Sequence, residues 1–188
     1  MDEFYELEFI GRGGQGAKTA SELVAKIALN KGKFVQSFPD YGPERKGAPV
    51  RAFTRIADSE IRGCSSEANP NILVIIDPTL LPLNGTLFNI TPDMIVVVNS
   101  SDTPDTIKKN LNVKGNIYSV DATQIVLDIL KVNIPNSAML GALAKTTDIF
   151  TINDIKDEFN KEFEEKLGSE KVAQNYQVID KAYSQVRN

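Results

Sequence analysis

Two uninterrupted apolar runs constrain the fold of this chain more than any other feature of its sequence. Residues 72–76 and 94–98 each follow a proline-containing turn, and they lead into the polar residues Asp77 and Asn99. Strands that carry apolar side chains on both faces are typical of a parallel sheet that helices cover on both sides. We therefore expect a buried parallel sheet at the centre of the molecule.

The rest of the chain alternates between strand and helix patterns. Short segments rich in β-forming residues predict strands at 5–10, 33–38, 50–56 and 116–120. Helical spacing of apolar residues predicts helices at 17–31, 103–111, 122–130, 138–145, 152–167 and 170–186. We expect residues 39–49 to form a loop, and strand 50–56 to form a hairpin with a partner near Ile61.

This alternation favours an α/β fold, an open three-layer sandwich with a mostly parallel sheet, a Rossmann-like first βα unit and a helical C-terminal arm. A chain of 188 residues is long enough to bury the core of one domain. We therefore treat residues 1–188 as a single domain, with an α/β core at 1–148 and a helical segment at 149–188.

The composition excludes several kinds of active site. The chain contains no histidine, so it cannot supply a Ser-His or Cys-His pair or a histidine metal ligand. Its one cysteine, Cys64, cannot form an internal disulfide or hold an iron–sulfur cluster alone, and we expect a quiet thiol. The net charge of −4 gives no reason to expect nucleic-acid binding. No apolar run approaches the roughly 20 residues of a membrane span, and the acidic N-terminus lacks a signal-peptide pattern, so we expect a cytoplasmic protein.

The sharpest local motif is a glycine-rich segment between the first predicted strand and the first predicted helix. It consists of Gly11, Arg12, Gly13, Gly14, Gln15 and Gly16, and it fits the pattern G-x-G-x-x-G. Glycines here allow a tight turn and the close approach of a ligand, and the N–H groups at the helix start favour an anion. The acidic residue that a dinucleotide fold places about 20 residues further on is missing, which disfavours a dinucleotide. A phosphate-bearing ligand and a turn that serves only packing both remain open.

A second unusual segment, residues 38–51, joins the second and third predicted strands. Three prolines and two glycines shape its backbone. Its candidate ligand-binding residues are Tyr41, Gly42, Glu44, Arg45 and Gly47. A local basic patch consists of Arg45, Lys46, Arg51 and Arg55. If the first two strands run parallel, this loop and the glycine loop lie at the same edge of the sheet, where open α/β sheets bind ligands.

Three segments together resemble a known family. Residues 11–29 (GRGGQGAKTASELVAKIAL), 37–56 (SFPDYGPERKGAPVRAFTRI) and 136–143 (NSAMLGAL) are similar to the gamma subunit of the 2-oxoacid:ferredoxin oxidoreductases. The form GPERKGAPV resembles the pyruvate enzymes most. The resemblance covers most of the chain, and the combined motif is far more specific than a lone G-x-G-x-x-G.

The resemblance implies one subunit of a larger enzyme. The family enzyme converts pyruvate and coenzyme A to acetyl-CoA and carbon dioxide, reduces ferredoxin, and also runs in reverse. The resemblance further implies that alpha and beta subunits carry thiamine diphosphate and Mg²⁺, and that a ferredoxin-like delta subunit carries the iron–sulfur clusters. No catalytic residue is transferred to this chain.

For the two loops the resemblance allows two interpretations. In one, the N–H groups of residues 13–16 and the Arg45/Lys46 loop bind or gate the phosphates of coenzyme A. In the other, both loops are architectural. Two further function classes compete with the subunit hypothesis: a free-standing nucleotide- or coenzyme-binding protein, and a self-contained dehydrogenase. The missing histidine and the missing ribose-binding acid count against the dehydrogenase.

Three more features have two interpretations each. Asp77 and Asp121 each follow a predicted strand, and each either contacts a ligand or caps the next turn. The stripe of Phe159, Phe163 and Leu167 is either helix core or a surface that docks a partner subunit. An exposed surface of that kind would lead the isolated chain to form a homodimer.

Overall fold

The computed structural model describes residues 4–41, 47–62, 70–81 and 90–188 of the chain. The strands are Tyr5–Arg12 (β1), Phe34–Tyr41 (β2), Pro49–Ala57 (β3), Ile72–Ile75 (β4), Ile95–Asn99 (β5) and Asn116–Val120 (β6). The helices are Ala17–Asn30 (α1), Pro104–Leu111 (α2), Ala122–Leu130 (α3), Asn136–Thr146 (α4), Ile152–Leu167 (α5) and Ser169–Gln185 (α6), and a 3-10 turn spans Pro78–Leu80. Every helix predicted from the sequence is present, with ends that differ by one or two residues.

The strands form one sheet in the order β2-β3-β1-β4-β5-β6. Strands β1, β4, β5 and β6 pair in parallel, and β3 lies antiparallel between β1 and β2. The expected α/β fold with a mostly parallel sheet is confirmed. The two apolar runs became β4 and β5, which lie inside the sheet with Val74 and Val97 fully buried.

The predicted hairpin partner of strand 50–56 near Ile61 was wrong. Strand β3 pairs with β2 and β1, and no partner strand forms near Ile61 within the described residues. The backbone carbonyl of Ile61 instead accepts a hydrogen bond from the side chain of Gln36 at 3.3 Å. Strand β2 continues through Tyr41, so the predicted loop 39–49 is shorter than expected. The Phe38 and Phe53 rings stack across the two strands at 5.3 Å and stabilise this register.

The antiparallel half of the sheet also uses two of the arginines that the sequence placed in a basic patch. Arg55 pairs with Glu6, and Arg51 pairs with Glu8, across β3 and β1. Burial raises the pKa of Glu8, and the hydrogen bond and charge of Arg51 oppose that shift. Both arginines therefore neutralise buried carboxylates of the sheet, so they do not form a free basic surface.

Helices cover both faces of the sheet unequally. Helices α1, α3, α4, α5 and α6 share a large core with one face, around Leu7 and Phe9. Helix α2 and the 3-10 turn cover the other face over β4, β5 and β6, around Ile75 and Val98. None of the helices in the described residues combines the length and the apolar composition that a membrane crossing requires.

Polar contacts orient α5 antiparallel to α1. Asp154, in the first turn of α5, pairs with Lys31 just beyond the end of α1 at 2.6 Å. Further along α5, Glu162 pairs with Lys26. This arrangement brings the C-terminal end of α5 and the start of α6 next to the beginning of α1, where the glycine loop lies.

Candidate functional site

The glycine loop and the described ends of the second loop lie at one edge of the sheet, as the sequence predicted. Strand β2 runs in the same direction as β1, and the register of β3 brings Pro49 opposite Arg12. The backbone N–H of Gly13 donates to the carbonyl of Ala48 at 3.2 Å. The glycine loop is therefore hydrogen-bonded directly to the C-terminal end of the second loop.

The glycine loop ends in an open helix N-terminus. Gly16 is the N-cap of α1 with a φ of 85°, and no side chain of the described residues caps the helix. The N–H groups of Ala17, Lys18 and Thr19 lie in the first turn, where an α-helix has no internal acceptor for them. These groups, together with the positive end of the helix dipole, make a local environment that attracts an anion.

Gly14 and Gly16 differ in what surrounds them. Gly14 has a φ of 96°, and a Cβ added there would meet no atom within 4 Å. A Cβ added at Gly16 would lie 2.5 Å from Nδ2 of Asn136. Packing therefore explains why Gly16 lacks a side chain, whereas Gly14 borders open space.

Asn136 is a site residue that the sequence analysis did not select. It begins α4, and its Oδ1 accepts the N–H of Ser137 at 2.9 Å. Its Nδ2 lies against the glycine loop. The motif of residues 136–143 contained the signal, because its leading asparagine directly follows Pro135 at a helix start. Only the tertiary fold shows that this helix start faces Gly16.

The side chains of Arg12 and Gln15 are used within the protein. Gln15 accepts the N–H of Arg12 at 2.7 Å and donates to Asp77 at 2.8 Å. The guanidinium of Arg12 donates to Thr79 Oγ1 at 2.9 Å and to the carbonyl of Gly47 at 3.0 Å. These two side chains hold the loop in place, which leaves mainly backbone N–H groups to face a ligand.

Asp77 and Asp121, which the sequence treated alike, have different surroundings. Asp121 accepts the N–H of Gln124 at 3.0 Å and caps α3. Asp77 caps the 3-10 turn through Thr79, and it also accepts from Gln15 and lies 3.3 Å from Nε of Arg12. Burial opposes ionisation of Asp77, but the hydrogen bonds from Thr79 and Gln15 and the charge of Arg12 hold its pKa below the usual value.

A cavity of about 650 Å³ opens beside the glycine loop. Its volume lies in the range of small-molecule and cofactor sites. Its polar side chains and glycines are Arg12, Gly13, Gly14, Gly16, Lys18, Thr19, Asn136, Lys171, Gln174 and Asn175. The apolar wall is lined by Leu130, Val132, Ile134, Phe159, Phe163 and Leu167.

The apolar stripe of α5 forms part of this cavity wall. Phe159 is buried in the core, Phe163 is half-buried, and Leu167 is 39% exposed. Val132 and Ile134, on the link between α3 and α4, are similarly exposed. The stripe therefore begins as helix core and ends as the wall of an accessible groove.

Two lysines supply positive charge at the cavity. Lys18 lies 3.4 Å from Glu22, and its charge is partly balanced. Lys171, in the first turn of α6, forms no ion pair with any residue that the structure describes.

Of the second loop, Gly47 contacts Arg12, and the backbone of Tyr41 ends β2. Gly42, Glu44, Arg45 and Cys64 lie outside the described residues, so their predicted roles stay predictions.

Comparison with known proteins decides the family. The family model described as pyruvate ferredoxin/flavodoxin oxidoreductase matches residues 6–185. The chain belongs to this family. The resemblance stated from the loop motifs is thereby confirmed, and so is the subunit character of the chain, since its relatives in the family are named as subunits.

Named relatives of similar length support a gamma-type subunit. Pyruvate synthase subunit PorC of Thermotoga maritima is 40% identical over 98% of this chain and 96% of its own length. A crystal structure of pyruvate oxidoreductase subunit PORC from the same organism covers 99% of this chain with a TM-score of 0.85 and 38% identity. A common gamma subunit of the pyruvate/ketoisovalerate oxidoreductases of Thermococcus kodakarensis is 41% identical over 87% of this chain and 89% of its own length.

A more distant structure shares the fold. The 2-oxoglutarate:ferredoxin oxidoreductase of Magnetococcus marinus, solved with 2-oxoglutarate, coenzyme A and succinyl-CoA, matches 98% of this chain with a TM-score of 0.80 and 21% identity. The match covers 31% of that longer chain. The same fold therefore occurs as a separate subunit in the Thermotoga maritima structure and as part of a longer chain in the Magnetococcus marinus structure.

Proposed function

We propose that this chain is the gamma subunit of a cytoplasmic pyruvate:ferredoxin oxidoreductase, or pyruvate synthase. That enzyme converts pyruvate and coenzyme A to acetyl-CoA and carbon dioxide, with the electrons passed to ferredoxin, and it also runs in reverse. The observation that carries the proposal is the 40% identity to a pyruvate synthase subunit across nearly the full length of both chains. Relatives named for both pyruvate and ketoisovalerate enzymes favour substrate selection by the other subunits.

The redox chemistry is assigned to partner subunits. The chain has no histidine and one cysteine, so its residues do not fit an iron–sulfur cluster. As the family resemblance implies, we assign thiamine diphosphate and Mg²⁺ to alpha and beta subunits and the clusters to a ferredoxin-like delta subunit. This chain contributes binding and positioning, and no residue of it acts as a catalytic group.

Within that assembly, the cavity beside the glycine loop is our candidate contact for coenzyme A. The open N-terminus of α1, with Lys18 and Lys171 beside it, provides the donors and positive charge that phosphates require. The apolar wall, which ends at the exposed Leu167, suits the uncharged arm of the same molecule. Gly14 borders open space, so a ligand can approach the loop backbone closely there.

The alternative is that both loops are purely architectural. The contact between Gly16 and Asn136 and the hydrogen bonds of Arg12 and Gln15 favour this alternative, because they explain much of the glycine loop by packing alone. The φ of 96° also accounts for glycine at position 14 without a ligand, but the architectural alternative does not explain the open helix end. A direct test of coenzyme A affinity separates the two.

The subunit proposal is tested by anaerobic purification of this chain from its native cells. The eluate is assayed for pyruvate-dependent reduction of a viologen dye with coenzyme A. Larger partners that carry thiamine diphosphate and iron–sulfur clusters, together with activity, would support the proposal, and other 2-oxoacids would then define the substrate. An eluate that contains only this chain and is inactive with every 2-oxoacid would refute it.

The coenzyme A contact is tested with Gly14→Ala in the assembled enzyme. The added methyl group occupies the open space beside the loop backbone, where we propose that the ligand approaches, so we expect the KM for coenzyme A to rise about tenfold. The kcat at saturating coenzyme A and the KM for pyruvate should stay close to wild type, because only binding is weakened.

Gly32→Ala is the matched control. Gly32 has a φ of 77°, no atom lies within 4 Å of its added Cβ, and it follows the opposite end of α1. The two variants carry the same kind of backbone strain, which costs about 1 kcal/mol. Equal KM values for coenzyme A in both variants would leave the loops with an architectural role only.

A further inference from the structure

The buried carboxylate of Asp77 connects the glycine loop with the C-terminal end of the second loop. Its residue surface is only 6% exposed, and it follows β4 at the same sheet edge as the glycine loop. Oδ1 accepts the N–H and the hydroxyl of Thr79 at 2.9 and 2.6 Å. Oδ2 accepts Nε2 of Gln15 at 2.8 Å and lies 3.3 Å from Nε of Arg12.

One branch of these contacts reaches the backbone of the glycine loop. Gln15, oriented by Asp77, accepts the N–H of Arg12 through its Oε1 at 2.7 Å. The N–H of Gln15 also donates to the carbonyl of Arg12 at 3.0 Å. The turn that precedes α1 is therefore closed by a side chain whose own position depends on Asp77.

The other branch reaches the second loop. Arg12, paired with Asp77, donates from Nη1 to the carbonyl of Gly47 at 3.0 Å. Gly47 has a φ of 90°, and it precedes Ala48, whose carbonyl accepts the N–H of Gly13. The C-terminal end of the second loop is thus hydrogen-bonded to the glycine loop and to the arginine that Asp77 holds.

Capping of the 3-10 turn alone does not require these two branches. Asp121 is a plain cap by comparison, since among the described residues its side chain accepts only the N–H of Gln124. Asp77 instead combines a cap with two links to residues about 62 to 65 positions away in the sequence. A carboxylate is the one group that accepts all of these donors at once.

We propose that Asp77 is a positioning residue, which sets the glycine loop and residues 47–49 of the second loop in the arrangement that binds the phosphates of coenzyme A. This inference rests on the proposed coenzyme A contact and assigns its geometry to a residue outside both loops. Asp77 does not touch the ligand. It acts through Gln15 and Arg12, and it holds the Arg12 guanidinium where Nη1 donates to the carbonyl of Gly47.

The test is Asp77→Asn in the assembled enzyme. Asparagine keeps the size and one acceptor for Thr79, but its amide group faces the donors of Gln15 and Arg12. We expect the KM for coenzyme A to rise about tenfold, with the kcat at saturating coenzyme A and the KM for pyruvate near wild type. Gln15→Met, which breaks the link from the other side and leaves the Thr79 cap intact, should give the same pattern.

The matched control is Asp121→Asn, which weakens a cap of the same chemistry at the end of β6 without touching either loop. We expect its KM for coenzyme A to match wild type. If Asp77→Asn and Gln15→Met shift the KM for coenzyme A no more than Asp121→Asn does, or shift the KM for pyruvate equally, Asp77 has only a structural role.

The outcome is distinguishable from failure of the coenzyme A proposal itself. If Gly14→Ala raises the KM for coenzyme A and Asp77→Asn does not, the contact stands and the positioning role is wrong. If neither variant changes it, both are wrong. Direct binding of coenzyme A to the assembled enzyme, measured by calorimetry, should show the same order of affinities as the KM values.

Discussion

Replacing Gly141 with alanine tests the packing of α4 against α6. A Cβ added at Gly141 would approach the carbonyl carbon and the Cα of Ile179 to 3.0 Å and the carbonyl oxygen more closely still. Ordinary contacts of a Cβ begin near 3.4 Å. Ile179 lies inside α6, so its backbone cannot give way unless the helix moves. Gly141 therefore lies at a close approach between the backbones of α4 and α6.

The expected cost follows from this geometry. Overpacking of a tight core costs about 1–3 kcal/mol. If the helices instead move apart by about 0.5–1 Å, each contact along the interface loses about a quarter to a half of its dispersion energy. Alanine in place of glycine would itself favour a helix by about 1 kcal/mol. The clash is with helix backbone, so we expect its cost to lie at the upper end of this range and the free energy of unfolding to fall by about 2 kcal/mol net. For a chain of this size the Tm should fall by about 4–8 °C.

The assay is urea and thermal unfolding of the purified full-length chain, followed by circular dichroism. Ala173→Gly, on the exposed side of α6, is the control, because it measures the helix preference of alanine over glycine in this fold without a packing change. A Gly141→Ala variant more stable than wild type would refute the reasoning, since helix preference would then outweigh the close approach.

Two further predictions concern surface charges. Lys171→Gln should raise the KM of the assembled enzyme for coenzyme A about threefold, because one exposed charge beside the cavity is lost. The KM should also depend less on salt concentration. An unchanged salt dependence would place the phosphates elsewhere. Hydrogen bonds from Lys166 and Lys26 lower the pKa of Glu162 to about 2, so its contribution is complete above the ordinary value of 4.5 and is lost as the pH falls toward 2. In urea unfolding at pH 7, Glu162→Gln should cost less than about 1 kcal/mol, and the difference from wild type should shrink between pH 5 and pH 3; a difference independent of pH would contradict this assignment.

Local sequence patterns determined the elements of this protein and its family. The helical spacing of apolar residues, the continuous apolar runs and the glycine turn depend on neighbours a few residues away. They can therefore be identified from the sequence itself. The same holds for the motifs at residues 11–29, 37–56 and 136–143, which identified a gamma-type subunit before any fold was known. The meeting of the two loops at one edge followed from the expected direction of two strands.

Which residues face one another was decided only by the tertiary structure. The insertion of β3 between β1 and β2 gave Arg51 and Arg55 buried carboxylate partners, where the sequence had suggested a basic surface. Asn136 reached Gly16 only because α4 starts beside the glycine loop.

Asp77 and Asp121 show the physical reason most clearly. Both follow a strand, and the local sequence predicts that each of them caps the turn or helix that comes next. Asp77 alone contacts Gln15, which lies 62 residues away in the chain. Interactions over such distances depend on the order of strands in the sheet and on the path of the connecting helices, and no local period in the sequence records either of them.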